Sequence, residues 1–214
     1  MLFMENLFIP SIIAKNQAEY LERFNKISSC FDMIQLDIMD NKFVNNKSLM
    51  FDFPILKSKK YEAHLMIHNP LEWAKKNYMK VDILIAHVES FKTKKEIISF
   101  LNFVKLKKKK AGLALNSKTS VNSIKSFIPK FDLILLMTGC PGKDGTKFLH
   151  SSYKKIKRLR KISQEIIIEV DGGVNNKNIK KLKNSGANHF VIGSYFQECK
   201  NVSLNLKRLK KLVN

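Results

Sequence analysis

Polar residues capable of proton transfer or metal binding recur at every second position inside four apolar stretches of this 214-residue chain. They are Gln35 and Asp37 in "MIQLDIM", Glu62 and His64 in "YEAHLMI", His87 and Glu89 in "ILIAHVE", and Glu169 and Asp171 in "EIIIEVDGG". A period of two puts each pair on one face of a β-strand. One buried histidine is ordinarily a satisfied core group, and an aspartate at a strand end can simply cap a turn. Four stretches with polar residues in phase are harder to explain by packing. Two carboxylates, Asp37 and Asp171, facing one another across a substrate suit removal of a proton from one face and its return to the other. That is epimerisation beside a carbonyl, through an enediolate whose negative charge needs an electrophile. Asp37, His64 and Asp171 have the donor chemistry to hold a first-row divalent ion for that purpose.

Glycines end three of the apolar stretches, one of them already named, in "CPGKDG" (140–145), "VDGGVN" (170–175) and "VIGS" (191–194). Each alone is an ordinary turn signal. After three successive strands they would form a phosphate cradle, since backbone N–H groups reach an anion only where no side chain intervenes.

The elements that would position these residues alternate along the chain. Candidate strands are 8–13, 33–39, 61–67, 83–89, 111–116, 133–138, 165–173 and 189–194. Between them lie amphipathic stretches of helical length, such as 16–27, 70–79 and 176–186, the last opening on Asn and closing on Gly. Strand and helix alternating eight times predict an α/β fold, a (β/α)8 TIM barrel over 1–214 as one domain, with a doubly wound sheet as the alternative. In such a barrel the site lies at the C-terminal strand ends, where these motifs fall.

With 44% hydrophobic residues the chain can bury one sizeable core. No apolar run approaches the roughly 18 residues of a membrane span. The start "MLFMENLFIPSII" lacks a basic leader and a small-residue cleavage site. Three spaced cysteines with no CxxC pair suit a reducing compartment, and the cytoplasm is the expected location. The formal net charge of +21 comes almost wholly from lysine, arginine standing only at 23, 158, 160 and 208. Lysine runs at 104–110, 151–162 and 205–213, interrupted by apolar residues at helical spacing, read as solvated helix faces. They lack the arginines suited to bidentate contacts with nucleic acid. No nucleic-acid or membrane partner is expected, and the charge would draw small phosphorylated anions.

From "IPSII" to "VIGSYF" the chain resembles the ribulose-phosphate 3-epimerase family, (β/α)8 enzymes of the pentose phosphate routes of carbohydrate metabolism. The resemblance rests on "PSI", "LDIMDNKFV", "AHLMI", "IEVDGGVN" and "IGS", in the family's order. It implies that Asp37 and Asp171 are catalytic and that His64 joins them as a metal ligand. It implies substrate contacts by Ser11, His64, Gly142, Gly145, Gly172, Gly173, Gly193 and Ser194. It further implies that Met39, Met66 and Met137, which by spacing alone read as core, form a floor beneath the substrate. One divalent ion (Zn, Fe, Mn or Mg), a small phosphorylated ketose as substrate and a homo-oligomer follow from the same likeness.

Three departures from the family pattern fall on the substrate side. Gln35 stands where the family has a fourth, histidine ligand. As a neutral, weaker donor it should lower affinity for zinc or iron more than for manganese or magnesium. The loop the family writes Asn-Pro-Gly-Phe-Gly-Gly-Gln is here "CPGKDGT" (140–146), in which Lys143 would favour phosphate and Asp144 repel it. The family's proline after "FV" is Asn45. These departures leave open an altered ketose, or a barrel that has lost its metal and binds sugar phosphate without turnover. Related phosphate-binding barrels that decarboxylate or condense sugars carry Asp-x-Lys-x-x-Asp, absent here.

Overall fold

In the computed structural model, which describes residues 5–213, nine strands and seven α-helices alternate through most of the chain. The strands are β1 (Leu7–Ile12), β2 (Met33–Asp40), β3 (Lys47–Ser48), β4 (Lys60–Met66), β5 (Ile83–His87), β6 (Lys110–Leu115), β7 (Leu133–Met137), β8 (Ile167–Asp171) and β9 (His189–Ile192). The helices are α1 (Gln17–Ser28), α2 (Pro70–Asn77), α3 (Lys94–Leu106), α4 (Ser152–Ile162), α5 (Ile179–Ser185), α6 (Ser194–Gln197) and α7 (Val202–Val213). Sheet order is β1-β9-β8-β7-β6-β5-β4-β2-β3, and a further β1–β2 pairing closes eight parallel strands into the expected TIM barrel. β3 is a two-residue antiparallel addition to the end of β2.

Local sequence explains where the helices begin. Asn16 Oδ1 accepts the Glu19 N–H at 3.0 Å while Glu19 accepts the Lys15 N–H at 2.8 Å. Thr93 and Glu96 repeat the device at the start of α3, with N···O distances of 3.2 and 2.8 Å. Two polar side chains thus satisfy donors that the first helical turn leaves free. Gly186 ends α5 at φ 114°, a left-handed stop that matches the Asn-to-Gly reading of that segment.

Two crossovers depart from the eightfold strand–helix alternation. Between β2 and β4 the chain runs without a helix, with Asn41 and Leu49 at φ of 60° and 51°. Between β6 and β7 there are only two 3-10 turns, Val121–Ile124 and Ile128–Lys130, the second containing Pro129. Serine, asparagine and proline there favour turns over a continuous helix. The lysine run at 104–110 is likewise not one helix: α3 ends at Leu106, and β6 starts at Lys110 after a turn with Lys108 at φ 55°.

The alternation of β2 holds. Ile34, Leu36 and Ile38 belong to the large cluster between barrel and helices. A second, smaller cluster of Ile83, Ile85, Ala114, Leu133, Leu135 and Met137 is separate from it. These alternate residues of β5, β6 and β7 give one side of the barrel interior an apolar lining. The other side, from β2, β4 and β8, carries most of the polar residues, joined by His87 at the end of β5.

Candidate active site

Asp37, His64 and Asp171 converge at the C-terminal end of the barrel. Strand register places Asp37 beside His64 and Met39 beside Met66, while Asp171 pairs with Met137 on one side and Val191 on the other. One ligand atom from each of Asp37, His64 and Asp171 lies within 4.8 Å of the others. His64 Nδ1 is 3.3 Å from Asp37 Oδ1 and 3.1 Å from Asp171 Oδ2, yet it has no aligned hydrogen-bond partner. An imidazole nitrogen fully buried and aimed between two carboxylates without hydrogen-bond alignment is the arrangement a shared cation would satisfy. The donor set therefore fits a divalent ion.

Burial is the largest influence on Asp37 and raises its carboxyl to about 6, with Asp171 adding repulsion and His64 and Gln35 pulling it back. Burial would lower His64, but the two aspartates overcome it and raise the imidazole to about 9. Each is the expected response of a desolvated charge among charges.

Gln35, fully buried, donates through Nε2 to Asp37 Oδ1 at 2.9 Å and to Asp171 Oδ2 at 3.0 Å, while its Oε1 has no partner. In this arrangement the amide nitrogen, not the ligating oxygen, faces the aspartates, because two acceptors call for a donor. Glu62 stands beside Gln35 in register on β4, and Glu62 and Glu169 are both fully buried. Burial pushes the Glu62 carboxyl well above the usual range, and Glu169, Asp171 and Asp37 push it further.

A cavity opens above the cluster. Among its lining residues are Asp37, Asp171, Ser11, Met66, Met137, Gly142, Gly145, Gly172, Gly173, Gly193 and Ser194. Met39 is fully buried and does not line it, and His64 and Gln35 lie beneath. Ser11 Oγ is 2.9 Å from where a Cβ on Gly193 would stand, so glycine there keeps the serine hydroxyl open to the cavity. Gly172, at φ 114°, would put a Cβ 2.5 Å from the Gly139 nitrogen, and its carbonyl accepts the Thr138 hydroxyl at 2.6 Å. The need for glycine at 172 thus comes from loop packing. Asp40 is a structural group: its carboxylate accepts backbone N–H bonds from Lys42, Phe43 and His68.

The 140–146 loop is held by partners the sequence did not reveal. Arg23 Nη1, from α1, lies 2.6 Å from Asp144 Oδ2, so the carboxylate expected to repel phosphate is paired with a guanidinium. Asn46 donates to the Gly142 carbonyl at 2.9 Å, and Thr146 Oγ1 accepts the Cys140 N–H at 2.9 Å. Lys143 lines the cavity and Asn45 is exposed. Among the described residues no helix is long and apolar enough to cross a membrane.

Comparison with known proteins agrees with this geometry. The model of the ribulose-phosphate 3 epimerase family matches residues 7–197. The ribulose-phosphate 3-epimerase of Buchnera aphidicola subsp. Acyrthosiphon pisum is 34% identical, over 97% of this chain and 95% of that protein. The chloroplastic ribulose-5-phosphate-3-epimerase of Arabidopsis thaliana is 33% identical, over 94% and 75%. Among solved structures, a 3-hexulose-6-phosphate synthase superposes with a TM-score of 0.67 at 14% identity, over 96% of this chain and 99% of that one. At that identity the likeness concerns the barrel alone. The epimerase relatives, by contrast, are similar through nearly the whole sequence, and the chain belongs to the ribulose-phosphate 3-epimerase family of isomerases.

Proposed function

We propose that the chain is a metal-dependent epimerase that inverts C3 of a ketose phosphate, converting ribulose 5-phosphate to xylulose 5-phosphate. The observation that carries the reading is His64 Nδ1 aimed, without an aligned partner, between Asp37 and Asp171 at the floor of a glycine-walled cavity. A divalent ion held by Asp37, His64 and Asp171 would supply positive charge against the oxygens of the enediolate.

The protein's own groups do the rest. Asp37 takes the C3 proton from one face, and Asp171 delivers a proton to the opposite face; in the reverse direction their roles exchange. Asp37 is buried, so its carboxylate meets the C3 proton out of competition with bulk water. Gln35 orients both carboxylates through its two hydrogen bonds. Ser11, Gly172, Gly173, Gly193 and Ser194 receive the phosphate end, with Lys143 adding positive charge. Met66 and Met137 exclude water beneath the sugar.

The test is proton NMR of ribulose 5-phosphate in deuterated water, with and without added divalent ion. Deuterium should enter C3 as xylulose 5-phosphate forms, and Asp37→Asn and Asp171→Asn should each slow turnover by about 10²–10⁴-fold. Conversion with no deuterium at C3 would defeat the two-aspartate scheme. Binding of the sugar phosphate without exchange, whatever ion is added, would instead establish a barrel that binds and does not turn over.

A further inference from the structure

His87, the last residue of β5, and Glu89, in the 3-10 turn Val88–Ser90 that follows where the sequence suggested a strand to 89, have no part in the proton transfer above. They form a chain of contacts leading directly from the site. His64 Nε2 lies 2.8 Å from His87 Nε2, and the ring planes are inclined by only 16°. His87 Nδ1 lies 3.2 Å from Glu89 Oε2. The other Glu89 oxygen accepts the Asn116 N–H at 2.9 Å and the Thr119 hydroxyl, which fixes the carboxylate in place. Both histidines are fully buried, and Phe43 packs on His87 with centroids 4.9 Å apart.

Two imidazole nitrogens this close share one proton, and only one of them can be its donor. The carboxylate decides which. Glu89 is an acceptor, so His87 presents N–H at Nδ1 and a bare lone pair at Nε2. His64 must then donate through its own Nε2–H, which leaves Nδ1 as the nitrogen free to offer a lone pair between Asp37 and Asp171. We infer that His87 and Glu89 are positioning residues that fix the tautomer and ring orientation of His64 for metal binding. The inference rests on the metal reading of the site. It also explains why a histidine with a carboxylate behind it sits on β5, one strand beyond the ligand. Outer partners of this kind are commonly worth 10–100-fold in metal affinity.

The test is nitrogen-15 NMR of the histidine-labelled full chain, followed by zinc titration against a competing chelator. The spectrum of the chain alone should show His87 as the Nδ1–H tautomer, and zinc should displace any proton from His64 Nδ1 while His64 Nε2–H persists. His87→Phe should weaken zinc about 10–100-fold and Glu89→Leu about tenfold. Glu89→Gln should weaken it about tenfold as well, because an amide whose oxygen keeps the Asn116 and Thr119 donors turns its NH2 toward His87 Nδ1 and calls for the wrong tautomer. A merely structural role would leave Glu89→Gln, which keeps the loop bonds, with native zinc affinity at equal fold stability. The inference is overturned if His87 carries its proton on Nε2, or if folded His87→Phe binds zinc as tightly as the native chain. Should His87→Phe not fold, the two Glu89 variants and the native spectrum decide. Failure of the native chain to bind any divalent ion would instead remove the metal reading, with the tautomer spectrum still deciding the contact chain.

Discussion

Replacing Gln35 by histidine should tighten zinc binding by roughly 10–100-fold. The Gln35 amide gives two N–H donors to charged acceptors, at 2.9 Å to Asp37 and 3.0 Å to Asp171. Hydrogen bonds to charged groups contribute about 1.5–3 kcal/mol each. For Gln35 to turn its oxygen toward an ion between the aspartates, both bonds must be surrendered. A histidine at 35 offers the pair at most one N–H, so one fewer bond is lost on ion binding. That difference, about 1.5–3 kcal/mol, is ~10–100-fold at 1.4 kcal/mol per decade. Imidazole is also the better donor to zinc, so the gain should be larger for zinc than for manganese.

Competition with a chromophoric chelator measures both ions, and urea unfolding of native and Q35H chains without metal checks that the fold is kept. If folded Q35H binds zinc no more tightly than the native chain, the two Gln35 hydrogen bonds do not oppose ion binding and the argument fails.

Other consequences can be measured on the same protein. Arg23→Ala should raise KM for the sugar phosphate about fivefold with little change in kcat, since an unneutralised Asp144 carboxylate beside the cavity repels the substrate by about 1 kcal/mol in a water-like dielectric. Adding Asp144→Asn should restore KM, and an unchanged KM in Arg23→Ala would show that the ion pair does not shield the site. Gly172→Ala should lower unfolding stability by more than about 2 kcal/mol in urea, because φ is 114° and the new Cβ meets the Gly139 nitrogen at 2.5 Å. Without metal, His64 is raised from 6.5 to about 9, so its contribution is complete below pH 6.5 and is lost as pH rises toward 9. Between pH 6.5 and 8 the native chain should therefore lose stability relative to His64→Asn; parallel profiles would refute it. Above that range Lys155, lowered to about 8 by burial, works in the opposite direction.

The barrel could be read from the alternation of strand and helix, and its inward-facing acids from period two, because a strand leaves side chains only two faces and one must be apolar. Asp37, His64 and Asp171 were identifiable for that reason. Strand periodicity did not reveal that His64 reaches His87. On β4 and β5, His64 pairs with Ile85, so the two histidines meet on the diagonal, and only register shows it. The Arg23–Asp144 pair joins residues 121 positions apart and has no local signal beyond the scarcity of arginine. The eightfold alternation of strand and helix breaks between β6 and β7, where serine, asparagine and Pro129 select 3-10 turns. Met39 matched the family pattern yet lies clear of the cavity, in line with its plain reading as core.

Gln35 is best understood from the buried groups around it. Among the described residues, four acceptor oxygens there have no hydrogen-bond partner: Gln35 Oε1, both oxygens of Glu62, and Glu169 Oε1. Burial, Glu169, Asp171 and Asp37 all favour the protonated form of Glu62, whose strand neighbour in register is Gln35. Gln35 thus presents N–H groups to two aspartates and leaves its oxygen as an acceptor in the interior beside Glu62. A neutral histidine, with one N–H and one bare nitrogen, would divide its polarity the same way. Gln35 therefore keeps the hydrogen bonding that such a histidine would make in the barrel interior while offering no imidazole to the proposed ion. On the proposed mechanism it would lower the ion's affinity and leave Asp37 and Asp171 in place for the proton transfer.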